Sequence, residues 1–303
     1  MSSSNSSAQQ DAEHELDFTV SCIGVVPFVL VVWLYYMTKR TDDKRSYYAI
    51  HFNLVTLSSV HIVGSFIVLM ILLIIRVTDG FTGKSEWIRF LYKLFTNLLI
   101  HGSLIVATIF YYLIFISSMQ RFMLLTIEKL GRKLMTGARL TFNMTMLYFV
   151  AIISAINKIF ASNKIPWLEM ITMVLSLIML LLSIIIIRHI DKRSRSGMSA
   201  HVTVLLQTVP IAILLMVFTV AKFYVLTSGQ TNINLITFQS FMTFSISFMT
   251  PIFLIIGSLN KRKVAVAILT CQRGTRIIGG EVYTAERSPA TMSHVVSMVP
   301  TRI

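Results

Sequence analysis

The chain has 303 residues, 55% of them hydrophobic and only 13% charged, with 27 Lys and Arg against 13 Asp and Glu. That charged fraction is about half that of an ordinary soluble domain, and the mean hydropathy is +0.74, which excludes a soluble globular protein and indicates an integral membrane protein. The net charge of +14 is no sign of nucleic-acid binding, because its distribution follows membrane topology.

Runs free of Asp, Glu, Lys and Arg cover 18–38, 46–75, 94–120, 140–157, 170–187, 196–221 and 223–260, each long enough for a helix to span a bilayer. A transmembrane β-barrel would need alternating segments of about ten residues, whereas Met70 to Ile75 and Ile184 to Ile187 are apolar throughout. The expected fold is an all-α membrane protein, a seven-transmembrane helix bundle over 18–260.

In chain order, residues 1–17 are Ser-rich and acidic, and are expected to be a disordered extracellular segment. They carry a glycosylation sequon at Asn5 and no basic leader of the kind a cleavable signal needs. The first span, Phe18 to Met37, ends in a charged turn, Lys39 to Arg45, and the second, Tyr48 to Ile75, holds Asn53, His61 and Ser65. A short loop with Asp79, Gly80, Gly83 and Glu86 leads to the third. From Leu94 to Gln120 that span is uncharged, about 40 Å of helix at ~1.5 Å per residue, before a basic foot at Arg121, Lys129, Arg132 and Lys133.

The fourth span, Leu140 to Asn157, and the fifth, Leu168 to Ile187, are joined by a short link containing Pro166. The sixth, Val202 to Leu226, contains Pro210, and the seventh, Leu235 to Leu259, contains Pro251. Both prolines remove a backbone hydrogen bond and are candidate hinges. Residues 261–271 are expected to form an amphipathic membrane-surface helix, with Val264, Ile268 and Cys271 on one face and Cys271 a candidate for palmitoylation. The remainder, 272–303, shows no periodicity and is expected to be a disordered cytoplasmic tail.

Orientation follows from the basic residues. With the N-terminus outside, segments 39–45, 121–139, 188–201 and 261–303 face the cytoplasm and hold 20 of the 27 Lys and Arg, so the entire charge excess lies there. It faces anionic lipid or an acidic partner. Cys22 and Cys271 then lie on opposite sides, and no intrachain disulfide is expected.

Ionisable residues inside spans are the default functional candidates, and they are scarce here. No Asp or Glu falls in the middle of a span, and Glu169 sits at the outer edge of the fifth. Candidates for a small-molecule site between the outer halves are His61, Ser65, Asn97, His101, Thr172, Lys222, Thr237 and Gln239, with Tyr111, Phe218 and Tyr224 supplying apolar wall. For each there is a plainer role: a membrane His or Asn commonly bonds a neighbouring helix, and Lys222 near its helix end snorkels to the interface. The implied ligand is small, hydrogen-bonding and not obviously cationic. No hydrolase, phosphate-loop or metal-ligand motif occurs, so neither enzyme activity nor a cofactor or metal is expected. A ligand-gated channel or small-molecule transporter is the alternative, although the halves show no internal repeat.

Gln120-Arg121-Phe122 sits where rhodopsin-like receptors carry Asp/Glu-Arg-Tyr, and Thr250-Pro251-Ile252-Phe253-Leu254 sits where they carry Asn-Pro-x-x-Tyr. Leu206-Gln207-Thr208-Val209-Pro210 resembles the Gln-x-x-Pro signature of nematode serpentine chemoreceptors, a divergent group of seven-transmembrane G-protein-coupled receptors. Absent are the acid before the arginine, the acid of the second span and the cysteine pair of the rhodopsin-like pattern. Vertebrate bitter-taste receptors are similarly short, and insect odorant channels share seven helices but sit with the N-terminus inside. The resemblance covers about residues 18 to 271 and implies a plasma-membrane receptor, of the sort found on sensory neuron cilia. Its ligand would be an external small molecule and its partner a heterotrimeric G protein. It further implies that Gln120, Arg121 and Phe122 couple to the G protein beside a basic rim of Lys129, Arg132, Lys133, Arg193, Arg195, Lys261 and Arg262. Receptor subclass, G protein class and oligomeric state stay open, and Glu128 is the nearest acid in sequence to restrain Arg121.

Overall fold

The computed structural model describes residues 27–37, 48–82, 86–160, 167–191, 199–228, 235–270, 275–278 and 281–284. Its helices are α1 (Pro27–Met37), α2 (Tyr48–Thr82), α3 (Glu86–Thr126), α4 (Glu128–Leu134), α5 (Gly137–Phe160), α6 (Trp167–Asp191), α7 (Ser199–Thr227), α8 (Leu235–Ile256) and α9 (Leu259–Leu269). Six of these, α2, α3, α5, α6, α7 and α8, are long and apolar enough to cross a membrane. The protein is therefore an all-α, multi-pass membrane protein. The first predicted span is represented by α1, and its residues 18–26 lie outside the described set, as do Asn5, Arg193, Arg195 and Cys271.

Two boundaries differ from the sequence reading. The stretch around Asp79 and Gly80, read as loop, belongs to α2, and α3 begins at Glu86 rather than near Leu94. Once a helix is nucleated in the apolar run, each further residue adds a hydrogen bond for one more pair of dihedrals, so polar ends are carried along. At its other end α3 continues five residues beyond Arg121 to Thr126, which places Arg121 inside the helix and not at its foot. Within the tail, Thr275–Ile278 pairs antiparallel with Glu281–Thr284, and the rest of 272–303 lies outside the described residues. Ile277, Ile278 and Val282 are β-branched residues that suit strand backbone.

The bundle is organised on α3, which packs against α2, α5, α6, α7 and α8. Its buried face explains how one helix can meet five others: Ser103, Ala107, Thr108, Ser117 and Ser118 are small and let backbones approach closely. The pattern on α6 is inside-out. Glu169, Thr172, Ser176 and Ser183 are buried, while Val174, Ile178, Leu181 and Ile185 are exposed at the spacing of one helical stripe. Such a stripe would be an aggregation hazard in water and is ordinary in contact with lipid tails. Most of the inward hydroxyls bond a carbonyl one turn back in their own helix, as Ser58, Ser118, Ser176 and Ser183 do, and so need no partner across the bundle.

Candidate functional site

Three polar assemblies cross the apolar interior. The first joins α2, α3 and α8 at His61. The imidazole Nε2 lies 3.3 Å from Ser103 Oγ and Nδ1 lies 3.1 Å from Ser247 Oγ. A neutral ring has one N–H and one lone pair, so one serine accepts from the ring and the other donates to it. Thr243 bonds the Gln239 carbonyl at 2.8 Å, and the Gln239 amide lies 3.5 Å from the Thr243 hydroxyl. His61→Phe keeps a planar aromatic ring and removes both ring bonds. At about 0.6–1.7 kcal/mol per interhelical bond, a loss of about 1–3 kcal/mol is expected, read as a lower melting temperature of the purified protein in detergent.

The second assembly involves α3, α5, α6 and α7. Lys222 Nζ lies 3.4 Å from Glu169 Oε2, with side-chain exposures of 8% and 3%. This corrects the reading of Lys222 as a snorkelling residue: its ammonium turns inward because a carboxylate from the first turn of α6 meets it there. Beside the pair, the Thr219 and Tyr111 hydroxyls are 2.9 Å apart. Thr219 has one proton and the Leu215 carbonyl at 2.7 Å competes for it, so Tyr111 donates whenever Thr219 back-bonds. Tyr111, Tyr112, Ser154, Leu168, Glu169 and Thr172 line a narrow crevice, too tight to admit a water-sized body.

The third assembly lies at the end of the bundle where Lys129, Arg132 and Lys133 cluster on α4. Gln120 is fully buried and its Nε2 donates to the Met135 carbonyl at 2.8 Å, tying α3 to the turn between α4 and α5. Gly137 makes that turn with φ +59°, a conformation L side chains rarely adopt. Asn143 Nδ2 adds a bond to the Leu134 carbonyl at 3.0 Å. Arg121 is buried to 3% exposure. The Lys261 ammonium sits 4.3 Å from the centroid of the Tyr35 ring, a cation–π contact that places this lysine in the interior and not on a basic rim. Glu128, the acid nearest Arg121 in sequence, instead bonds Arg132 on the exposed surface, an i,i+4 pair worth about 0.3–0.5 kcal/mol. It is no restraint on Arg121.

A further bond joins α7 to α8. Where α8 ends, Ser258 N–H turns to the Ile255 carbonyl at 3.2 Å, which leaves the Leu254 carbonyl without its usual helical donor. Gln207 Nε2 donates to it at 2.6 Å. The two helices approach here because Gly257 has no side chain: a Cβ would lie 2.7 Å from Gln207 N and 2.8 Å from its Cα.

Of the residues picked out for a ligand site, the structure brings His61 and Gln239 into the first assembly and Tyr111, Thr172 and Lys222 into the second. Asn97 is exposed, and Ser65, His101 and Phe218 are only partly buried. Sequence reasoning missed Ser103, Ser247, Thr243 and Thr219, which carry no signal beyond being hydroxyls in apolar runs. It also treated Glu169 as an edge residue, although an acid at the start of one span and a base at the end of the next are suitably placed to meet in adjacent antiparallel helices. Helices α7 and α8 continue unbroken through Pro210 and Pro251. Among the described residues, no group of three or more His, Cys, Asp or Glu is placed to hold a metal. The fold and composition thus define a multi-pass helical membrane protein with buried polar assemblies. No protein-family model matches the chain, and no curated protein matches it.

Proposed function

We propose that this chain is a G-protein-coupled chemosensory receptor of the nematode serpentine kind, with seven spans, an outer N-terminus and α9 lying along the inner membrane surface. An external small molecule binds between the helices and favours an arrangement in which the basic end opens to a heterotrimeric G protein. The observation that carries this reading is the role of the third helix: α3 contacts five other long helices and bears Gln120 and buried Arg121 beside the basic turn. Gln120 links that helix to the turn a G protein would touch, and Gln207 links α7 to α8 within one helical turn of Pro210 and Pro251. These are bonds that a shift between two helical arrangements would break or remake. A ligand shifts the balance only through its differential affinity, and about 5.5 kcal/mol takes the opened state from one part in a hundred to ninety-nine.

Topology and coupling are tested separately. An epitope tag before Met1 is expected to stain on intact cells and one after Ile303 only after permeabilisation; the reverse pattern sinks the receptor reading. Arg121→Ala is expected to reach the surface near normally yet to lose about tenfold in ligand-stimulated nucleotide exchange on a co-expressed G protein, the equivalent of one charge-assisted hydrogen bond. Unchanged exchange would make Arg121 a packing residue of the bundle with no part in coupling. A ligand-gated current that persists with G proteins blocked would establish the channel alternative.

A further inference from the structure

We propose that the turn between α4 and α5 binds a phospholipid whose headgroup carries more than one phosphate, with an acyl chain laid along the exposed face of α5. This goes beyond the receptor reading and does not depend on it.

From Lys129 to Leu168 the chain has no Asp or Glu. Lys129 and Lys133 stand i,i+4 on one exposed face of α4, and Arg139 follows in the first turn of α5. Arg139 Nη1 donates to the Lys133 carbonyl at 3.3 Å, so the guanidinium of one helix is held against the end of the other. Glu128 bonds Arg132, which leaves Lys129, Lys133 and Arg139 as three exposed cations about one turn with no acid among them. The position of α4 is fixed by Gly131, buried where a Cβ would come within 2.8 Å of the Met123 carbonyl oxygen, so α4 folds back on the end of α3 and turns its lysines outward. Three such cations suit an anion of several charges better than one of a single charge, because separate phosphates can each accept charge-assisted bonds.

An apolar track begins at the same place. Arg139, Phe142, Met146, Val150 and Ile153 are all exposed at i, i+3, i+7, i+11 and i+14, a single stripe of α5. No charged residue follows Arg139 on this helix until Lys158. The stripe is about 21 Å long at ~1.5 Å per residue, more than the ~15 Å of one leaflet, half of a ~30 Å hydrocarbon core. A basic group at the head of a long apolar track has the polarity of a phospholipid with a polyanionic headgroup, whereas a free inositol phosphate matches the head alone. Occupancy also bears on the bundle. Gln120 donates to the Met135 carbonyl inside the same turn, so a headgroup bridging Lys133 and Arg139 braces the point at which α3 is tied.

The test uses the full chain in phosphatidylcholine nanodiscs with no G protein present, and reads bound lipid by native mass spectrometry and stability by thermal shift. Phosphatidylinositol bisphosphate is compared with phosphatidylserine at equal total charge and with the free inositol trisphosphate headgroup. The bisphosphate lipid is expected to raise the melting temperature and to bind at least about tenfold more tightly than either comparison. Lys133→Gln/Arg139→Gln is expected to weaken its binding about twenty-five-fold, at about fivefold for each cation near the membrane surface. Arg188→Gln/Lys263→Gln removes the same charge from α6 and α9 and is expected to change binding less than about twofold. Lys129→Gln/Lys133→Gln leaves the Arg139 bond in place and is expected to match the first loss, which decides the matter if that variant fails to accumulate. Equal binding of phosphatidylserine, or equal losses in the turn variants and the α6/α9 variant, would reduce the effect to general surface attraction and overturn the proposal. Equally tight binding of the free headgroup would overturn the lipid as occupant, and no retained bisphosphate lipid would overturn the site altogether.

Discussion

Lys222→Met is expected to destabilise the protein by about 3–5 kcal/mol, the usual cost of removing one partner from a buried ion pair. The physical origin is desolvation: the Glu169 side chain is 3% exposed, and without the ammonium at 3.4 Å it retains its charge in a low-dielectric interior or takes up a proton to shed it. Methionine preserves the length and most of the volume of lysine, so packing contributes little to the loss. In the double variant Glu169→Gln/Lys222→Met, most of the stability is expected to return, since replacing both members of a buried pair is often neutral or better. Thermal midpoints of the native protein, Lys222→Met, Glu169→Gln and the double variant in one detergent form a complete double-mutant cycle. A single-variant loss below about 1 kcal/mol would show that water reaches the pair and that it behaves as a surface bridge.

Gly257→Ala carries the second large effect. The new Cβ would sit 2.5 Å from Gln207 Cγ, which can move, but also 2.7 Å and 2.8 Å from the Gln207 backbone, which can move only with α7. Overpacking costs about 1–3 kcal/mol, and if α7 withdraws the Leu254 carbonyl loses its donor for about 1–3 kcal/mol more. Truncating Gln207 in the same chain is not expected to rescue the melting temperature, because the backbone contact stays. Gln207→Leu alone should cost only the carbonyl term. Under the proposed receptor mechanism, Gly257→Ala also pries apart the basic ends of α7 and α8 and is expected to raise nucleotide exchange without ligand. A basal rate and melting temperature both equal to those of the native protein would show that the closeness of this approach has no energetic weight.

The helical spans were legible because a bilayer excludes charge. Seven uncharged runs stand out in the sequence, and six of them correspond to helices long enough to cross. The ends of those helices were less legible, since Asp79 and Glu86 look like loop residues and yet lie in continuous helix propagated from the apolar interior. The expected orientation rests on counting Lys and Arg. The role of any one base does not. Arg132 is an exposed partner of Glu128, Lys261 is buried over a tyrosine and Lys222 is buried against a carboxylate, and their local sequences do not foretell which is which.

Polar contacts between helices were the least legible of all. Most buried hydroxyls close on their own helix, as Ser58, Ser176 and Ser183 do, so nothing in residue type marks Ser103 and Ser247 as the two that turn to His61. Gln120 and Gln207 both donate to backbone carbonyls, an acceptor that every residue offers and no sequence pattern can single out. By itself the sequence determined a membrane protein of helical spans and the positions of its prolines, because burial in hydrocarbon acts on each segment separately. Only the tertiary structure decided that Glu169 meets Lys222, that Gln207 caps Leu254 and that Arg121 lies within α3 rather than at its foot. Those outcomes depend on the rotation, depth and extent of helices relative to one another, and packing across the whole bundle sets them.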